Sequence, residues 1–497
     1  MKAIGHGMPI GVTPLYFIQA FSTFSFAILY SSLSLYLTKQ LGLTSTASNG
    51  VVALFFAFNY VLQLLGGVIG GRWLSNRVLF VVSIMIQTIG LLCLAQAETS
   101  ALYLGLSLFL VGCGINTTCY NSILTQRFKA DDIRRERAFF LSYAAMNVGF
   151  CAGFIFSGFF DFSNQYQNLF YASVAINILT LLLVVTYWSS ITDVNTPLTC
   201  INNRSLLLSK NVLGMTATIL LIPLLIWGFN FANFCNAIVV GMSILMFFVI
   251  LSLAFRQKLR TDKLKIMAYL ILTVTSIIFW MIYYTGPMGI AIFIKNNVDK
   301  HLFGYEVATQ WLLNINALVI ITGAPFLSSF ISRLQAKGFN FSTSMQFVWA
   351  FIILALSFGL LACGIIFSNG HGYTSIYWVV AYFAAQACAE LFIGPVGYAM
   401  IGKIAPAHLQ GILMGTWMLV SGVAASISHY FSNAMVKTTA TDPLLTNADY
   451  LQVFQQLGAW ALGGALFLYL LSKKIGSFID SADETEGDDR KEIAAAS

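Results

Sequence analysis

Fourteen apolar runs, each long enough to cross a lipid bilayer, follow one another along nearly the whole chain, the first near residues 14–37 and the last near 452–472. A helix needs about 20 apolar residues to cross a hydrocarbon core of roughly 30 Å. Inside that core every backbone amide and carbonyl must be paired within the protein, so such runs predict helices. Hydrophobic residues make up 58% of the 497 and charged residues only 9%, which excludes an ordinary globular protein. The sequence therefore predicts an all-α polytopic membrane protein, with the lipid bilayer as its first partner.

The positions of lysine and arginine predict how these helices are oriented. If the N-terminus is cytoplasmic, 22 of the 26 basic residues fall in cytoplasmic segments, and only Lys39, Lys295, Lys300 and Lys437 fall in outer ones. Cytoplasmic loops of membrane proteins carry such an excess of positive charge. We therefore expect both termini in the cytoplasm. The same asymmetry accounts for the net charge of +7, so we expect no nucleic-acid partner.

Two blocks of six predicted helices flank a basic stretch and an extra helical pair. The predicted domains are an N-terminal bundle at 1–190, a linker with two transmembrane helices at 191–262, a C-terminal bundle at 263–475 and a disordered acidic cytoplasmic tail at 476–497. The extra pair has a short uncharged turn and few polar residues, which predicts a lipid-facing hairpin away from any substrate. Two such halves are typical of secondary transporters, although composition alone leaves channels and membrane enzymes open.

No catalytic or metal-binding pattern accompanies the predicted helices. The eight cysteines are scattered without paired ligand spacing, and the sequence has no His-x-x-x-His pattern. We therefore expect no enzyme activity, no metal and no cofactor, with a proton gradient as the candidate energy source.

Glu390 is the acidic side chain that the sequence places deep inside a predicted span. A charge at that depth costs several kcal/mol unless it is paired, and is therefore typical of a cavity or a proton path. No positive charge stands near it in the sequence to hold it ionised. The alternative is a protonated structural glutamate that is hydrogen-bonded to a neighbouring helix, but a functional role is favoured.

Five local motifs resemble, in order, those of the proton-dependent oligopeptide transporter (POT) family, a branch of the major facilitator superfamily. They are LSLYLTKQLGLT at Leu33–Thr44, GGRWLSNR at Gly70–Arg77, FFLSYAAMNVG at Phe139–Gly149, FWMIYYTG followed by FIKNNVDKHLFG between Phe279 and Gly304, and AELFIGPVGYAMIGKIAPAHLQGILMGTW at Ala389–Trp417. The resemblance runs from about residue 14 to 472. It implies a major facilitator fold of two six-helix bundles plus a two-helix insert, and transport of di- and tripeptides with protons across a bacterial cytoplasmic (inner) membrane.

The resemblance also implies a substrate site. Glu390 matches a glutamate of the family's tenth span that helps to bind the peptide's amino group, and Asn147 and Asn316 match positions that bind the peptide backbone. Further matches to cavity positions are Gln19, Tyr60, Trp280, Trp417 and Ser421. Each has an alternative in packing, because an asparagine inside a span also joins helices and aromatic residues make up 14% of this chain.

The chain departs from the family where the family carries charge. Gln19, Ser22 and Thr23 stand where the family has Glu-x-x-Glu-Arg, Thr117 stands in place of a lysine, and Tyr284 in place of an acidic residue. Glu390 is the intramembrane charge that remains, and it is the candidate for proton coupling. Loss of the positive positions disfavours a substrate with a free carboxylate.

The sequence therefore predicts a monomeric secondary transporter of a small molecule or short peptide that works by alternating access. The alternatives are a major facilitator transporter of a non-peptide metabolite, acting as importer, exporter or uniporter, and a receptor derived from a transporter. A channel is disfavoured because the two-bundle plan lacks a filter-like ring of charged or carbonyl groups.

Overall fold

Helices dominate the computed structural model, which describes residues 8–129, 132, 134–194, 196–257, 260–336, 343–404, 410–437 and 440–496. The α-helices are α1 (Val12–Leu35), α2 (Ser45–Ile69), α3 (Asn76–Leu94), α4 (Thr99–Thr125), α5 (Arg134–Phe162), α6 (Tyr166–Thr186), α7 (Arg204–Asn230), α8 (Ala232–Arg256), α9 (Arg260–Tyr283), α10 (Ala291–Asn297), α11 (Thr309–Ala336), α12 (Thr343–Ile366), α13 (Ile376–Ile404), α14 (Gln410–Met435) and α15 (Pro443–Ala496). Two π-helical turns, Tyr36–Gln40 and Gly286–Ile290, extend α1 and precede α10. The strands are β1 (Val298–Asp299), β2 (His301–Leu302), β3 (Tyr305–Glu306) and β4 (Thr374–Ser375).

The fourteen predicted spans are all helical. The short helix α10 continues α9 through the second π-helical turn, so that the two form one span, Asp262–Asn297. Within the described residues, 12 helices are long and apolar enough to cross a membrane. The two remaining predicted spans coincide with α11 and α14, which are 28 and 26 residues long. The prediction of an all-α membrane protein is therefore confirmed.

Polar side chains fix where several of these helices begin. Thr44 accepts a hydrogen bond from the amide of Ala47 before α2, at 3.2 Å, and Ser75 accepts one from the amide of Val78 before α3, also at 3.2 Å. Such N-caps satisfy backbone amides that have no partner in the first turn. These N-caps mark where the apolar helices α2 and α3 begin.

The described chain divides into two compact units. Unit 1 holds Met1–Cys235 and Ala308–Asn314, and unit 2 holds Asn236–Val307 and Ile315–Ser497. Within unit 1, α1 packs against α5 and α6, while α4 packs against α2, α3 and α7. Within unit 2, α9 packs against α13, α14 and α15, and α12 packs against α13 and α15.

A single residue, Phe231, separates α7 from α8. Two glycines bring α7 close to the rest of unit 1, since an added Cβ would meet Leu74 at Gly214 and Phe58 at Gly228. By contrast, α8 exposes large apolar side chains such as Met242 and Leu245, each 62% exposed. Such a surface fits the predicted lipid-facing hairpin, because a helix that is apolar on its outer faces requires a nonpolar environment. Contact with lipid itself stays a prediction.

The segment between α6 and α7 is held against the ends of α3 and α4. Arg127 donates to the carbonyl of Ser190 at 2.9 Å and also to that of Thr192. Arg77 donates to the carbonyl of Trp188, and its guanidinium lies 3.9 Å from the centre of the Trp188 ring. Two arginines thus donate hydrogen bonds to three backbone carbonyls of this segment.

The last helix, α15, continues to Ala496, so the segment 476–496 that the sequence predicts to be disordered is helical in the structure. Its alanine, glutamate, lysine and arginine residues favour helix, and extending an existing helix avoids the cost of nucleating a new one. The predicted domain boundaries at 190, 262 and 475 and the cytoplasmic position of the tail stay predictions.

Candidate functional site

Glu390 lies midway along α13 and is held by two neutral donors. The side-chain amide of Asn316 on α11 donates to Glu390 Oε2 at 2.9 Å. The hydroxyl of Tyr283, the last residue of α9, also forms a side-chain hydrogen bond with Glu390. All three side chains are only partly buried. The structure therefore brings Asn316 and Glu390 together, as a shared site requires, and adds Tyr283.

A small apolar contact joins α11 and α13 at this point. Ile320, Ala387 and Leu391 form a buried cluster. Asn316 precedes Ile320 by four residues and Glu390 follows Ala387 by three, so each polar side chain shares a helix face with a member of the cluster. The polar pair consequently stands directly beside an apolar contact between the two helices.

Aromatic rings surround Tyr283. Its ring centre lies 5.1 Å from that of Trp280, with the planes at 73°, and 5.7 Å from that of Tyr284. Trp280 was among the predicted site residues, whereas Tyr283 was not. The i to i+3 spacing from Trp280 was the signal in the sequence, since residues three apart share a helix face.

Trp417 and Ser421 lie one turn apart on α14. Trp417 is buried, and its ring centre lies 6.3 Å from that of Tyr269. The hydroxyl of Tyr269 donates a hydrogen bond to the carbonyl of Leu413 on α14, at 2.9 Å. Trp417 thus takes part in the packing of α9 against α14, while Ser421 is half-buried.

The predicted site residues Gln19, Tyr60 and Asn147 belong to unit 1. Asn147 is buried, and its amide donates to the carbonyl of Tyr143 on its own helix at 2.9 Å. Gln19 is buried, and its backbone carbonyl accepts a hydrogen bond from Ser22 at 3.2 Å. Tyr60 on α2 is half-buried. The roles of these three residues in substrate binding stay predictions.

Unit 1 also contains a buried network of neutral polar groups around α4. Asn116 donates to Gln87 on α3 at 3.0 Å, and the Cys113 thiol donates to Asn59 on α2 at 3.2 Å. Thr117, which stands where the family has a lysine, donates to the carbonyl of Cys113 at 3.0 Å. Neutral hydrogen bonds thus join three helices in the region of the missing lysine, as amides inside membrane helices commonly do.

A partly buried ion pair joins the π-helical turn after α1 to the end of α5. Lys39 Nζ, in the π-helical turn after α1, lies 2.8 Å from Asp161 Oδ2 near the end of α5, and the hydroxyl of Tyr166 also donates to Asp161. The carboxylate is 5% exposed, so the partner cation and the hydroxyl compensate its loss of water. Sequence reasoning missed this pair because Asp161 falls just beyond the predicted fifth span.

The comparisons with known proteins agree over most of the chain. The model of the POT family matches residues 77–451. The chain is 26% identical to dipeptide and tripeptide permease A of Salmonella typhi over 95% of this chain and 93% of that protein, and equally identical to the permease A of Escherichia coli K12 over 95% and 94%.

Solved structures confirm the fold. A crystal structure of a peptide transporter in complex with alafosfalin superposes with a TM-score of 0.83 at 21% identity, covering 96% of this chain and 97% of that one. A POT family transporter in complex with 5-aminolevulinic acid gives a TM-score of 0.80, with coverage of 94% and 97%. The predicted major facilitator architecture and the resemblance read from the five motifs are thus both confirmed, and the chain belongs to the POT family.

Proposed function

We propose that this protein carries short peptides, or closely related peptide-like amines, across a membrane by alternating access. The constellation of Glu390, Asn316 and Tyr283 supports this proposal. The Glu390 carboxylate lies midway along α13, is partly exposed and is held by two donors, so it can bind the amino group of a substrate. The relatives that are named dipeptide and tripeptide permeases supply the substrate class.

The proposal includes a location and an energy source. We place the protein as a monomer in a bacterial inner membrane with both termini in the cytoplasm, because 22 of 26 basic residues fall on one side of the predicted topology and the named relatives are bacterial. Glu390 is the proposed proton carrier, because it is the carboxyl group at the middle of a described span.

Reconstitution into liposomes tests the function. We expect saturable uptake of a labelled dipeptide or of its C-terminal amide, and stimulation of that uptake by an inward proton gradient. Glu390→Gln, which keeps the shape of the side chain but removes its charge, is expected to lower uptake at least tenfold and to abolish the stimulation.

Three results would argue against parts of this proposal. Absence of uptake of either compound, with or without a gradient, contradicts peptide transport. Binding without uptake favours a transporter-derived receptor. Unchanged uptake in the Glu390→Gln protein removes this residue from the mechanism. Glu98→Gln is the matched control, because Glu98 is exposed at the N-terminal end of α4 and its carboxylate accepts a hydrogen bond from the nearby Ser100 at 3.1 Å.

A further inference from the structure

The segment Ala308–Asn314, which begins α11, docks on α5. It belongs to unit 1, whereas the remainder of α11 belongs to unit 2. The indole N–H of Trp311 donates to the carbonyl of Ile155 on α5 at 3.0 Å. One turn further along α11, the side-chain nitrogen of Asn314 lies 3.4 Å from both the carbonyl oxygen and the sulfur of Cys151. This segment, here named the docked segment, therefore lies along α5 within unit 1.

The position of Trp311 on α5 is specific. Its ring lies against Gly158, where an added Cβ would collide with the indole nitrogen. Phe159 and Phe162 flank the ring, with ring centres 5.1 Å and 5.5 Å from that of Trp311 and planes at 74° and 77° to it. Edge-to-face pairs of this kind favour one arrangement of the rings. Together with the indole hydrogen bond, these contacts define one docked position for the segment.

The docked segment also carries buried polar atoms that lack a partner. Gln310 is 0% exposed, and neither the nitrogen nor the oxygen of its side-chain amide has a hydrogen-bond partner among the described residues. The side-chain oxygen of Asn314, one turn away on the same face of α11, is likewise buried and unpartnered within the described chain. A buried amide without a partner costs free energy, because it has given up its hydrogen bonds to water. That cost opposes docking.

Docking thus combines favourable and unfavourable contacts. The contacts of Trp311 favour the docked position, whereas hydration of Gln310 and Asn314 favours release of the segment. When two arrangements are close in free energy, a ligand readily shifts the equilibrium between them. A transporter that works by alternating access has to break and re-form helix contacts in every cycle. A helix contact of this composition suits such a movement.

We propose that the docked segment is a lid on α5 that releases and docks again in each transport cycle, and that the unpartnered amide of Gln310 keeps its docked state marginally stable. This inference rests on the proposed function and adds a moving element to it. Gln310 is a positioning residue, because it sets the population of the released state without contacting the substrate.

The thiol of Cys151 reports on release, because the docked segment reaches its sulfur. The probe is N-ethylmaleimide, applied to the protein in detergent, and mass spectrometry of the Cys151 peptide gives the rate of modification. Cys200, which is exposed between α6 and α7, is the internal reference. When docking is faster than modification, this rate follows the population of the released state.

Gln310→Met keeps the length of the side chain and removes both unpartnered atoms. We expect modification of Cys151 to slow at least about fivefold, because the docked state no longer contains an unpaired amide. We also expect kcat of dipeptide uptake in proteoliposomes to fall. Trp311→Phe removes the indole N–H but keeps an aromatic ring, and it should speed modification. Gln452→Met, at an exposed glutamine of α15, is the matched control and should change neither quantity.

The outcomes separate this inference from the proposed function. Unchanged modification of Cys151 in Gln310→Met, or slower modification with unchanged kcat, overturns the inference and leaves transport intact. An effect in Trp311→Phe alone shows a static packing contact and also overturns it. So does a wild-type Cys151 that stays unmodified while Cys200 reacts to completion.

Two further results keep the test decisive. If the dipeptide is not taken up, slower modification in Gln310→Met still supports a lid that opens and closes, while the proposed function fails. Should Gln310→Met not give a monodisperse protein, Gln310→Leu takes its place with the same expectations, because leucine also lacks the amide.

Discussion

At the scale of single residues, the rotation of a helix decides which of two adjacent tyrosines forms a hydrogen bond with Glu390. The sequence comparison drew attention to Tyr284, which stands where the family has an acidic residue. The structure buries Tyr284 to 3% exposure and brings the hydroxyl of Tyr283 to Glu390. Neighbouring residues on an α-helix point about 100° apart, and sequence alone does not fix that rotation. Glu390 was conspicuous in the sequence as an acidic side chain inside an apolar run, whereas Asn316 was selected through the resemblance to the family.

Tyr283→Phe tests the hydroxyl of that side chain while keeping its ring. A hydrogen bond to a charged group contributes about 1.5–3 kcal/mol, so its loss should raise KM for an amine substrate roughly tenfold or more, with kcat changed by less than about threefold. Steady-state uptake in proteoliposomes measures both constants. Tyr430→Phe, at a side chain that is 52% exposed, is the matched control. An equal fall of kcat in Tyr283→Phe would show that the hydroxyl serves the folded structure rather than the substrate.

At the scale of elements, the structure gives a packing reason for Gly149, the last residue of the fifth-span motif. A Cβ added there would lie 2.3 Å from the carbonyl oxygen of Ala20 and 3.1 Å from Thr23 Cβ, both on α1. A glycine therefore allows α1 and α5 to approach backbone to backbone, as small residues do between membrane helices. The sequence showed the motif. It did not show that close packing against α1 requires the glycine.

Gly149→Ala is expected to destabilise the protein by about 1–3 kcal/mol, because overpacking a close contact forces the helices apart. Thermal unfolding in detergent measures the effect as a lower Tm. Gly241→Ala in α8 is the control, since nothing lies within 4 Å of a Cβ added there, and it should leave Tm unchanged or raise it slightly. Equal Tm values for the two variants would contradict the packing role of Gly149.

The segment between α6 and α7 is held by long-range hydrogen bonds that form only in the folded protein. In the sequence Arg77 and Arg127 were counted only as positive charges on the cytoplasmic side. In the structure their guanidinium groups satisfy the carbonyls of Trp188, Ser190 and Thr192. Such bonds join residues more than 60 positions apart, and no local sequence pattern predicts them.

At the scale of the whole molecule, the positive-inside distribution predicts the topology, and a native cysteine tests it. Cys200 is exposed in the segment between α6 and α7, which the predicted topology places in the cytoplasm. A membrane-impermeant maleimide should leave it unmodified in intact spheroplasts and should label it after permeabilisation, when the thiol is accessible to the reagent.

Two variants control this experiment. Phe303→Cys, at a position that is 84% exposed in the turn between β2 and β3, should be labelled in intact spheroplasts. Cys200→Ser should lose the signal that appears on permeabilisation. Labelling of Cys200 from outside would reverse the predicted topology.

The sequence by itself determined the class of the protein, its helices, its family and the position of a carboxyl group within an apolar run. These features depend on local composition and on the bilayer, which forces every long apolar run into a helix. Only the tertiary structure decided that Asn316 and Tyr283 orient Glu390, that Lys39 pairs with Asp161, and that arginines bind the α6–α7 segment. These contacts depend on how packed helices are rotated and placed against one another, which is set by close contacts such as those at Gly149 and Ile320 and not by the sequence of any one helix.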